Sequence, residues 1–523
     1  MLGQIAGSSL AQKGMTRWLL NGLALLMLVS TTAHAAENDD LATNSKFSRD
    51  TVIDLARKLA SSAYKPPRAD LPESLSNLSN KQYRDIRFDP TKAIWAGQNL
   101  PFELELYHRG GIYKDPVEIA LVEDGAARHL AYDPAMFKTG ENLTTPLPSQ
   151  DIGFAGFRLK SPLNRPDTYE DTAIFLGATY FRAVAKNQVF GMSARGLAIK
   201  TADPEGEEFP IYRAFWIEKP SQDTNSIVIN ALLDSKSVAG AYRFTIRPGT
   251  NTTMDVEATL FPRTDLTKVG LAPETSMYLF SANDRANIDD YRPQVHDSDG
   301  LLMLNGRGER LWRPLANPTK LQISAFQDTA PMGFGLMQRA RNFVNYQDLD
   351  ANFQSRPSLW IEPLGNWGKG AVVLTEIPSD AQIHDNTIAY WAPGTPIKAG
   401  TSFNYSYRLS WGTGPTIAPG EARVYSTRSG RVNPTQQDNK RTFVVDYTIP
   451  DQSVPMPQTL PHATVKSSQG NISNVSVREN PQTGGYRVTF QMDPGGAELA
   501  ELRLELKFDD ARKAETWMYR WTN

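Results

Sequence analysis

The segment 403–409 reads Phe-Asn-Tyr-Ser-Tyr-Arg-Leu, so that a large apolar or aromatic residue stands at every second position. Successive side chains of a β-strand point to opposite faces, and this alternation therefore predicts a strand with one buried and one solvated face. The same period occurs in segments 102–106, 242–246 and 254–257. These segments predict antiparallel β-structure through the main part of the chain.

The remaining sequence is typical of an all-β protein with little helix. Its 37 glycines and 35 prolines are spread along the chain as turn residues, without a low-complexity tract. One helix is predicted near its start, where Val52, Ala56 and Leu59 follow the helical spacing of three and four positions. Ser48 fits the N-cap of that helix. The predicted fold class is all-β, with the strands in sandwich-like layers.

A change in composition after Trp411 predicts a domain boundary. Residues 412–450 are rich in Gly, Thr, Ser, Asn and Gln. Short strand patterns occur at 441–447, 486–492, 502–508 and 516–521. About a hundred residues of this kind are typical of an immunoglobulin-like sandwich. We therefore expect a large domain over residues 36–411 and an immunoglobulin-like domain, with its linker, over 412–523.

Residues 1–35 have the order of a secretory signal peptide. Arg17 precedes the apolar segment 18–29, and Ala33-His34-Ala35 follows as a small-x-small cleavage site. The apolar segment is shorter than the ~20 residues needed to cross a bilayer, so we expect no membrane anchor after processing. A twin-arginine pair is missing from the sequence, which favours Sec-type export to the periplasm.

Charge and composition narrow the class of ligand. The chain has 55 basic and 57 acidic residues and a net charge of −2, which gives no electrostatic basis for binding nucleic acid or anionic lipid. The substrate is therefore expected to be a neutral molecule. Cysteine is absent, which excludes disulfides, thiolate nucleophiles and cysteine-based zinc sites. Gly306-x-Gly308 lacks the third glycine of a dinucleotide loop, and we predict no cofactor and no metal.

Two acidic clusters are candidates for catalysis. The first is His296-Asp297-Ser298-Asp299-Gly300, and the second contains Glu376, Asp380, His384, Asp385 and Asn386. Asp385 precedes an aromatic pair, and partial desolvation there would raise its pKa towards that of a general acid. The alternatives are an ordinary turn for Asp297 and a loop aspartate for Asp385. His296 and His384 are interpreted as loop histidines and not as metal ligands.

Aromatic and cationic residues are the candidates for substrate binding, because sugar rings stack on aromatic faces while charged and amide groups bind hydroxyls. The predicted binding residues are Trp367, Trp360, Trp391, Tyr390, Arg292 and Arg339. Burial in the core is the alternative for each tryptophan. Trp367 is expected to be the most exposed of them, because glycines on both sides of it indicate a loop.

Several segments together resemble the osmoregulated periplasmic glucan biosynthesis family, which has G and D types. They are YRDIRF at 83–88, YFRA at 180–183, SARGLA at 193–198, GEEFP at 206–210, YRPQVHDSDG at 291–300, WRPL at 312–315, GFGL at 333–336, RPS at 356–358 and GNWGKG at 365–370. The resemblance runs from about residue 45 to the end of the sequence. The Sec-type signal favours the G type.

This resemblance implies a large, galactose-mutarotase-like β-supersandwich with a long cleft, followed by the immunoglobulin-like domain. It implies a role in making the β-1,2-linked glucose backbone of these glucans, as an inverting hydrolase or transglycosylase. Asp385 matches the family's general acid and Asp297 its base. The alternative is a non-catalytic factor that captures nascent glucan and docks to the inner-membrane glucan synthase. Paired carboxyl groups favour the enzyme, because binding a neutral polymer has little use for them.

Overall fold

The computed structural model describes residues 46–523 apart from 69, 287, 417, 434, 436–438, 452 and 454. The predicted signal peptide, residues 1–35, lies outside the described residues. Within that described part, no helix is both long and apolar enough for a membrane span.

Strands dominate the described chain, which confirms the predicted all-β class. The α-helices are α1 (Arg49–Ala60), α2 (Glu73–Ser76) and α3 (Asn80–Arg84), and 3₁₀ turns occur at Pro90–Lys92, Pro134–Met136, Phe343–Asn345 and Phe353–Ser355. The first strands are β1 (Ile86–Phe88), β2 (Glu103–Tyr107), β3 (Glu118–Glu123), β4 (Ala126–His129), β5 (Phe137–Thr139), β6 (Gly156–Ser161), β7 (Glu170–Leu176), β8 (Tyr180–Ala183), β9 (Ser193–Arg195), β10 (Leu197–Ile199), β11 (Ile211–Glu218), β12 (Ile227–Asp234), β13 (Val238–Arg247), β14 (Thr252–Pro262), β15 (Val269–Ser276) and β16 (Tyr278–Phe280). The others are β17 (Val295–His296), β18 (Gly300–Leu304), β19 (Arg310–Pro314), β20 (Gln322–Thr329), β21 (Gly333–Met337), β22 (Ser358–Leu364), β23 (Lys369–Glu376), β24 (Thr387–Pro393), β25 (Phe403–Gly412), β26 (Arg423–Arg431), β27 (Arg441–Thr448), β28 (His462–Ser467), β29 (Asn471–Asn480), β30 (Gly485–Asp493), β31 (Leu499–Lys507) and β32 (Thr516–Thr522).

The predicted helix is confirmed as α1. The backbone N–H of Ser48 donates to Thr51 Oγ1 at 3.2 Å, which satisfies a donor at the helix start. Val52 and Ala56 are buried, one helical turn apart, and belong to a hydrophobic cluster with Trp216. The apolar stripe of α1 therefore packs on the outer face of the sheet that contains β11, β12 and β13.

Two large sheets pack face to face and form the main core. One has fourteen strands in the order β28-β31-β32-β19-β18-β21-β22-β25-β14-β13-β12-β11-β3-β4. The other has ten strands in the order β2-β6-β7-β8-β9-β15-β24-β23-β20, with β10 paired to β15. Aromatic side chains join the two inner faces: the ring centroids of Phe175 and Phe244 lie 5.3 Å apart, and those of Phe157 and Phe215 lie 5.0 Å apart. The alternation in the sequence therefore corresponds to an inner and an outer face of each sheet.

The residues after β25 add a second pair of layers. A four-stranded sheet in the order β26-β27-β30-β29 faces β28, β31 and β32, and buried Phe443, Phe490 and Trp517 lie between them. β32 also pairs in parallel with β19, with Trp312 opposite Trp517. The large sheet therefore continues into this second sandwich. Its immunoglobulin-like classification and the boundary between residues 411 and 412 stay predictions.

The outer face of the ten-stranded sheet carries the candidate site. On β8, Phe181 points into the core, while its neighbours Tyr180 and Arg182 line a cavity on the other face. The loop after β17, the loop between β23 and β24, and the segment between β21 and β22 all approach this face. These elements place Asp297, Asp385 and Arg356 together.

Candidate active site

Asp297 lies in a buried position. It directly follows β17, which pairs with β16, and its backbone N–H donates to the carbonyl of Met277 at 2.8 Å. The residue is only 4% exposed. Asp297, for which an ordinary turn was the alternative, is therefore a buried carboxyl group, which requires a compensating partner.

Arg356 is that partner. Its Nη1 donates to Oδ1 of Asp297 in an ion pair. Its Nε and Nη2 donate to the carbonyl of Ala351 at 3.2 and 3.1 Å, and its guanidinium lies 4.5 Å from the centroid of the Phe353 ring. Gly191 leaves room for the Arg356 side chain, because a Cβ there would lie 2.9 Å from Arg356 Cβ. Arg356 is thus fixed on several sides.

The electrostatics of Asp297 connect it to Asp385. Burial raises the pKa of Asp297 to about 6, Arg356 opposes this rise, and the charge of Asp385 adds to it. Arg182 on β8 also acts to lower the pKa of Asp297. The pKa of Asp297 is therefore raised towards neutral pH, and the charge of Asp385 contributes to the rise.

Asp385 lies on the loop between β23 and β24. Its neighbour Asn386 fixes that loop: Oδ1 accepts from the backbone N–H of Tyr278 at 2.8 Å, and Nδ2 donates to the carbonyls of Tyr278 and Ile377 at 2.9 and 3.0 Å. The predicted partial desolvation of Asp385 is wrong, because its side chain is exposed. The aromatic residues that follow it in sequence lie within β24 and leave the loop uncovered.

A second cluster lies on the same face. Arg195 on β9 pairs with Glu207 at 2.7 Å, and its guanidinium lies 4.7 Å from the centroid of the Tyr180 ring. Burial raises the pKa of Tyr180, Arg195 opposes the rise, and Glu207 and Asp385 add to it. This interaction places Asp385 next to the cluster of Tyr180, Arg195 and Glu207.

Aromatic cavities extend away from this cluster. One, of about 320 Å³, is lined by Tyr107, Tyr113, Tyr180, Arg182 and Phe190, among others. Tyr107 also borders a larger cavity of about 740 Å³. The two cavities share Tyr107, and their walls offer both ring faces and hydrogen-bonding groups; together they are called the groove.

Tyr390 is the predicted binding residue that the structure places at this face. It is half-buried on β24, and its ring packs against Gly270 on the neighbouring β15. Burial raises the pKa of Tyr390, the nearby Thr375 side chain opposes the rise, and the charge of Glu207 adds to it. Tyr390 thus lies close to the Arg195–Glu207 pair.

The three predicted tryptophans contribute to cores instead. Trp391 is 0% exposed between the two large sheets, and Trp360 is 3% exposed in the core that the large sheet shares with the second sandwich. Both predictions of substrate contact are wrong, because alternation along β24 and β22 turns these rings inward.

Trp367 is also misassigned as an exposed platform. Its Nε1 donates to the carbonyl of Ser406 at 3.2 Å, and its ring centroid lies 6.0 Å from that of Tyr405 and 6.4 Å from that of Trp391. The flanking Gly365 and Gly368 have φ values of 93° and 71°, so the turn needs them for its left-handed backbone.

Trp367 is also remote from Asp385. The two residues lie at opposite ends of the β23–β24 hairpin, which is roughly 20 Å long at about 3.3 Å per residue. A sugar that contacts Asp385 is therefore not stacked on Trp367.

Arg292 and Arg339 are likewise engaged within the protein. Arg292 donates to Asp290, to Asp348 at 2.9 Å and to Gln382 at 2.7 Å, which ties the Asp385 loop to its surroundings. Arg339 donates to both carboxylate oxygens of Glu515, at 2.8 and 2.7 Å. Carboxylates occupy donors of both arginines, and their role in direct substrate binding stays a prediction.

The sequence reasoning missed Arg356, Arg195, Glu207 and Tyr180 as site residues. Each lies within a segment that carried the family resemblance: 356–358, 193–198, 206–210 or 180–183. Nothing in the residue types of these segments indicated a shared site. Only the folded structure brings β8, β9 and the segment before β22 together.

Comparisons with known proteins agree with the resemblance. Residues 47–521 match the family described as "Periplasmic glucan biosynthesis protein, MdoG". A "Glucans biosynthesis protein G" from Vibrio cholerae is 56% identical over 481 residues, covering 92% of this chain and 88% of that protein. A protein with the same name from Shewanella sp. strain MR-4 is 56% identical over 476 residues, covering 91% and 87%.

A solved structure was also matched. It is a galactose mutarotase related enzyme from Lactobacillus acidophilus, with 8% sequence identity, coverage of 45% of this chain and 95% of that chain, and a TM-score of 0.20.

The family match spans nearly the whole described chain, and the relatives match over most of their own length. The chain therefore belongs to the MdoG family of periplasmic glucan biosynthesis proteins.

Proposed function

We propose that this periplasmic glucan biosynthesis protein cleaves a β-1,2-linked glucan backbone, or transfers segments of it to another glucan chain. The proposed catalytic pair is Asp385 as general acid and Asp297 as general base. The observation that carries the proposal is that the charge of Asp385 acts on both Asp297 and Tyr180, and that Tyr180 lines an aromatic cavity. A purely binding groove for a neutral polymer has no need of this pair.

The proposed reaction inverts the anomeric centre. The acid protonates the leaving glycosidic oxygen, while the base removes a proton from the attacking water on the opposite face of the sugar. Asp297 is nearly inaccessible to solvent. A substrate hydroxyl held between Asp297 and the attacking water is therefore proposed to relay the proton.

The exposure of Asp385 is compatible with a role as acid once substrate is bound. A glucan chain lying across Tyr180 and Arg195 would cover the Asp385 loop and remove water from its carboxyl group. Desolvation of a carboxyl group raises its pKa, so the protonated form needed for catalysis would be favoured in the complex.

Arg356 has a supporting role in this scheme. Its positive charge stabilises the ionised form of Asp297, which is the form that accepts a proton. Without it, burial alone would keep Asp297 protonated over a wider pH range. Arg356 thus acts through Asp297 and is a positioning residue.

A second candidate is a non-catalytic factor that captures nascent glucan and passes it on. The exposure of the Asp385 side chain in the free protein favours this candidate. In this version the second sandwich would dock to the inner-membrane glucan synthase. The same groove would hold the polymer.

One experiment separates the candidates. The purified protein without residues 1–35 is incubated with linear β-1,2-glucan, and the products are separated by size. Shorter or redistributed oligosaccharides, lost in Asp297→Asn, support the enzyme. Unchanged glucan that still co-purifies with the protein supports the binding factor. A β-1,3-glucan of equal length serves as the linkage control.

A further inference from the structure

A separate cavity of about 180 Å³ lies where the large sandwich meets β26. Gln294 and Asp299, on either side of the Asp297 position, form one wall. Asn342, Asn345 and Tyr425 of β26 also line the pocket. This interdomain pocket shares no lining residue with the groove at Tyr180.

Asp299 leaves an acceptor available in the pocket. Its Oδ2 accepts from the backbone N–H groups of Arg339 and Ala340 at 3.1 and 3.2 Å. Its Oδ1 is buried and has no hydrogen-bond partner in the described part of the chain. A buried acceptor of this kind is unfavourable unless a ligand or a water molecule donates to it.

Carboxylates offset the arginines that line the pocket: Arg341 interacts electrostatically with Asp299, and the other two form ion pairs. Arg339 pairs with Glu515 and Arg428 with Asp446. Arg341 donates to backbone carbonyls, including that of Gly412 at 3.3 Å. These cations therefore do not make the pocket an anion site.

The uncommitted groups are neutral or aromatic. Among the described residues, the side chains of Asn342, Asn345 and Tyr425 make no hydrogen bonds, and Tyr425 is 48% exposed. Amide groups both donate and accept, which suits vicinal hydroxyls, and an accessible tyrosine ring offers a stacking face. The Oδ1 atom of Asp299 adds an acceptor for one more hydroxyl.

The size of the pocket limits its ligand. A volume near 180 Å³ corresponds to about six water molecules at ~30 Å³ each, which is room for one pyranose ring and not for an extended chain. We propose that the interdomain pocket binds a single glucose unit of a glucan, apart from the groove. The choice of glucose rests on the proposed function, whereas the choice of a neutral polyhydroxylated ligand rests on the pocket itself.

A ligand bound in the pocket would affect the position of Asp297, one of the two proposed catalytic residues. The segment 294–299 carries Asp297, and the segment 339–356 carries Arg356. A ligand held between Asp299 and Asn345 therefore contacts both segments that position the ion pair. The second sandwich would take part in glucan binding through Tyr425.

The test measures binding stoichiometry by isothermal titration calorimetry with a linear β-1,2-linked glucose pentasaccharide. The wild-type chain without residues 1–35 should show two classes of site. An N342A/N345A/Y425A variant should lose one class by at least tenfold in affinity, and Tyr180→Ala should lose the other. Asn471→Ala, an exposed amide on β29, should retain both.

The outcomes separate the two proposals. If the triple variant binds as the wild type does, while Tyr180→Ala abolishes the only class seen, the pocket holds water alone and this inference is overturned. If the pentasaccharide binds to no form, the proposed function falls as well. Glucose is then titrated as a second probe, and identical heats for wild type and triple variant reject the pocket as a sugar site. Tyr425→Ala alone, at an exposed position, repeats the comparison if the triple variant does not fold.

Discussion

Arg356 donates a hydrogen bond from Nη1 to Oδ1 of Asp297, a carboxyl group that is only 4% exposed. The pair places a fixed positive charge beside a buried acid. Burial and the charge of Asp385 favour protonation of Asp297, while Arg356 favours ionisation. These opposing effects together set the pKa of Asp297, and therefore the pH above which the proposed base is ionised.

The first prediction concerns pH. The base must be ionised, and burial raises the pKa of Asp297 to about 6. The ionised fraction therefore falls as pH falls through 6, and turnover should drop by about tenfold between pH 7 and pH 5. Arg356→Gln removes the charge that lowers this pKa, so the acid limb should move to higher pH. Kinetics from pH 4.5 to 8.5 measure this, and an acid limb that stays in place in Arg356→Gln would contradict the role given to Arg356.

The second prediction concerns the catalytic pair. Asp385→Asn cannot donate a carboxylic proton and Asp297→Asn cannot accept one, so each should lower turnover by at least ~10²-fold. Glucan binding should persist in both variants. The double variant should lose little more than either single one, because both groups serve one transition state.

A substrate with a good leaving group separates the two roles. Such a substrate needs little help from an acid, so the Asp385 variant should recover more activity than the Asp297 variant. Wild-type turnover in both variants on the natural glucan would refute the assignment.

The third prediction follows from the packing of Trp367. Its ring contacts Trp391 and Tyr405, so Trp367→Ala should lower the free energy of unfolding by about 2–4 kcal/mol. Glucan affinity should change little, because the ring lies at the far end of the β23–β24 hairpin from Asp385. Tyr180→Ala is the matched comparison and should weaken binding with little loss of stability. Denaturant unfolding and calorimetry distinguish these outcomes, and the reverse pattern would restore Trp367 as a sugar platform.

The fourth prediction concerns the Arg339–Glu515 pair, which joins the two sandwiches. Arg339 is 9% and Glu515 1% exposed at the side chain. Arg339→Ala leaves Glu515 buried without its cation, and should cost about 3–5 kcal/mol of stability. Lys398→Ala breaks an ion pair whose side chains are 65% and 45% exposed, and should have little effect. Equal melting temperatures for both variants would show that the Arg339–Glu515 pair contributes nothing to stability.

The fifth prediction concerns export. Ala33-His34-Ala35 should direct cleavage before Ala36. Mass spectrometry of the protein from a periplasmic extract would identify the new N-terminus. Recovery of a chain that still contains residues 18–29 would show that the segment is not a signal peptide.

The strand periodicity predicted most of the fold, because the burial of alternate side chains in a strand requires an apolar residue at every second position of a short segment. Segments 242–246, 254–257 and 403–409 all became central strands of the large sheet. The same periodicity did not reveal which aromatic faces the core. Trp391 and Tyr390 are adjacent on β24 and point to opposite faces, and only the sheet pairing distinguishes them.

The candidate site was only partly accessible from sequence for a related reason. Asp297 and Asp385 were identified through the family resemblance, whereas their partners come from distant elements. Arg356 precedes β22 and Arg195 ends β9, and neither is near Asp297 in sequence. Ion pairs between such positions depend on tertiary packing, which residue types and spacing do not encode directly.

The parallel pairing of β19 with β32 also affects how the chain is made. The fourteen-stranded sheet cannot be completed until residues 516–522 have left the ribosome, because they form β32, the strand that pairs with β19. Until then β19 is an open edge, able to pair with other chains. A protein exported as it is synthesised would therefore complete its largest sheet late, outside the cytoplasm. Hydrogen exchange on a chain stopped before residue 499 would test this, since the amides of β19 that pair with β32 should then lose their protection.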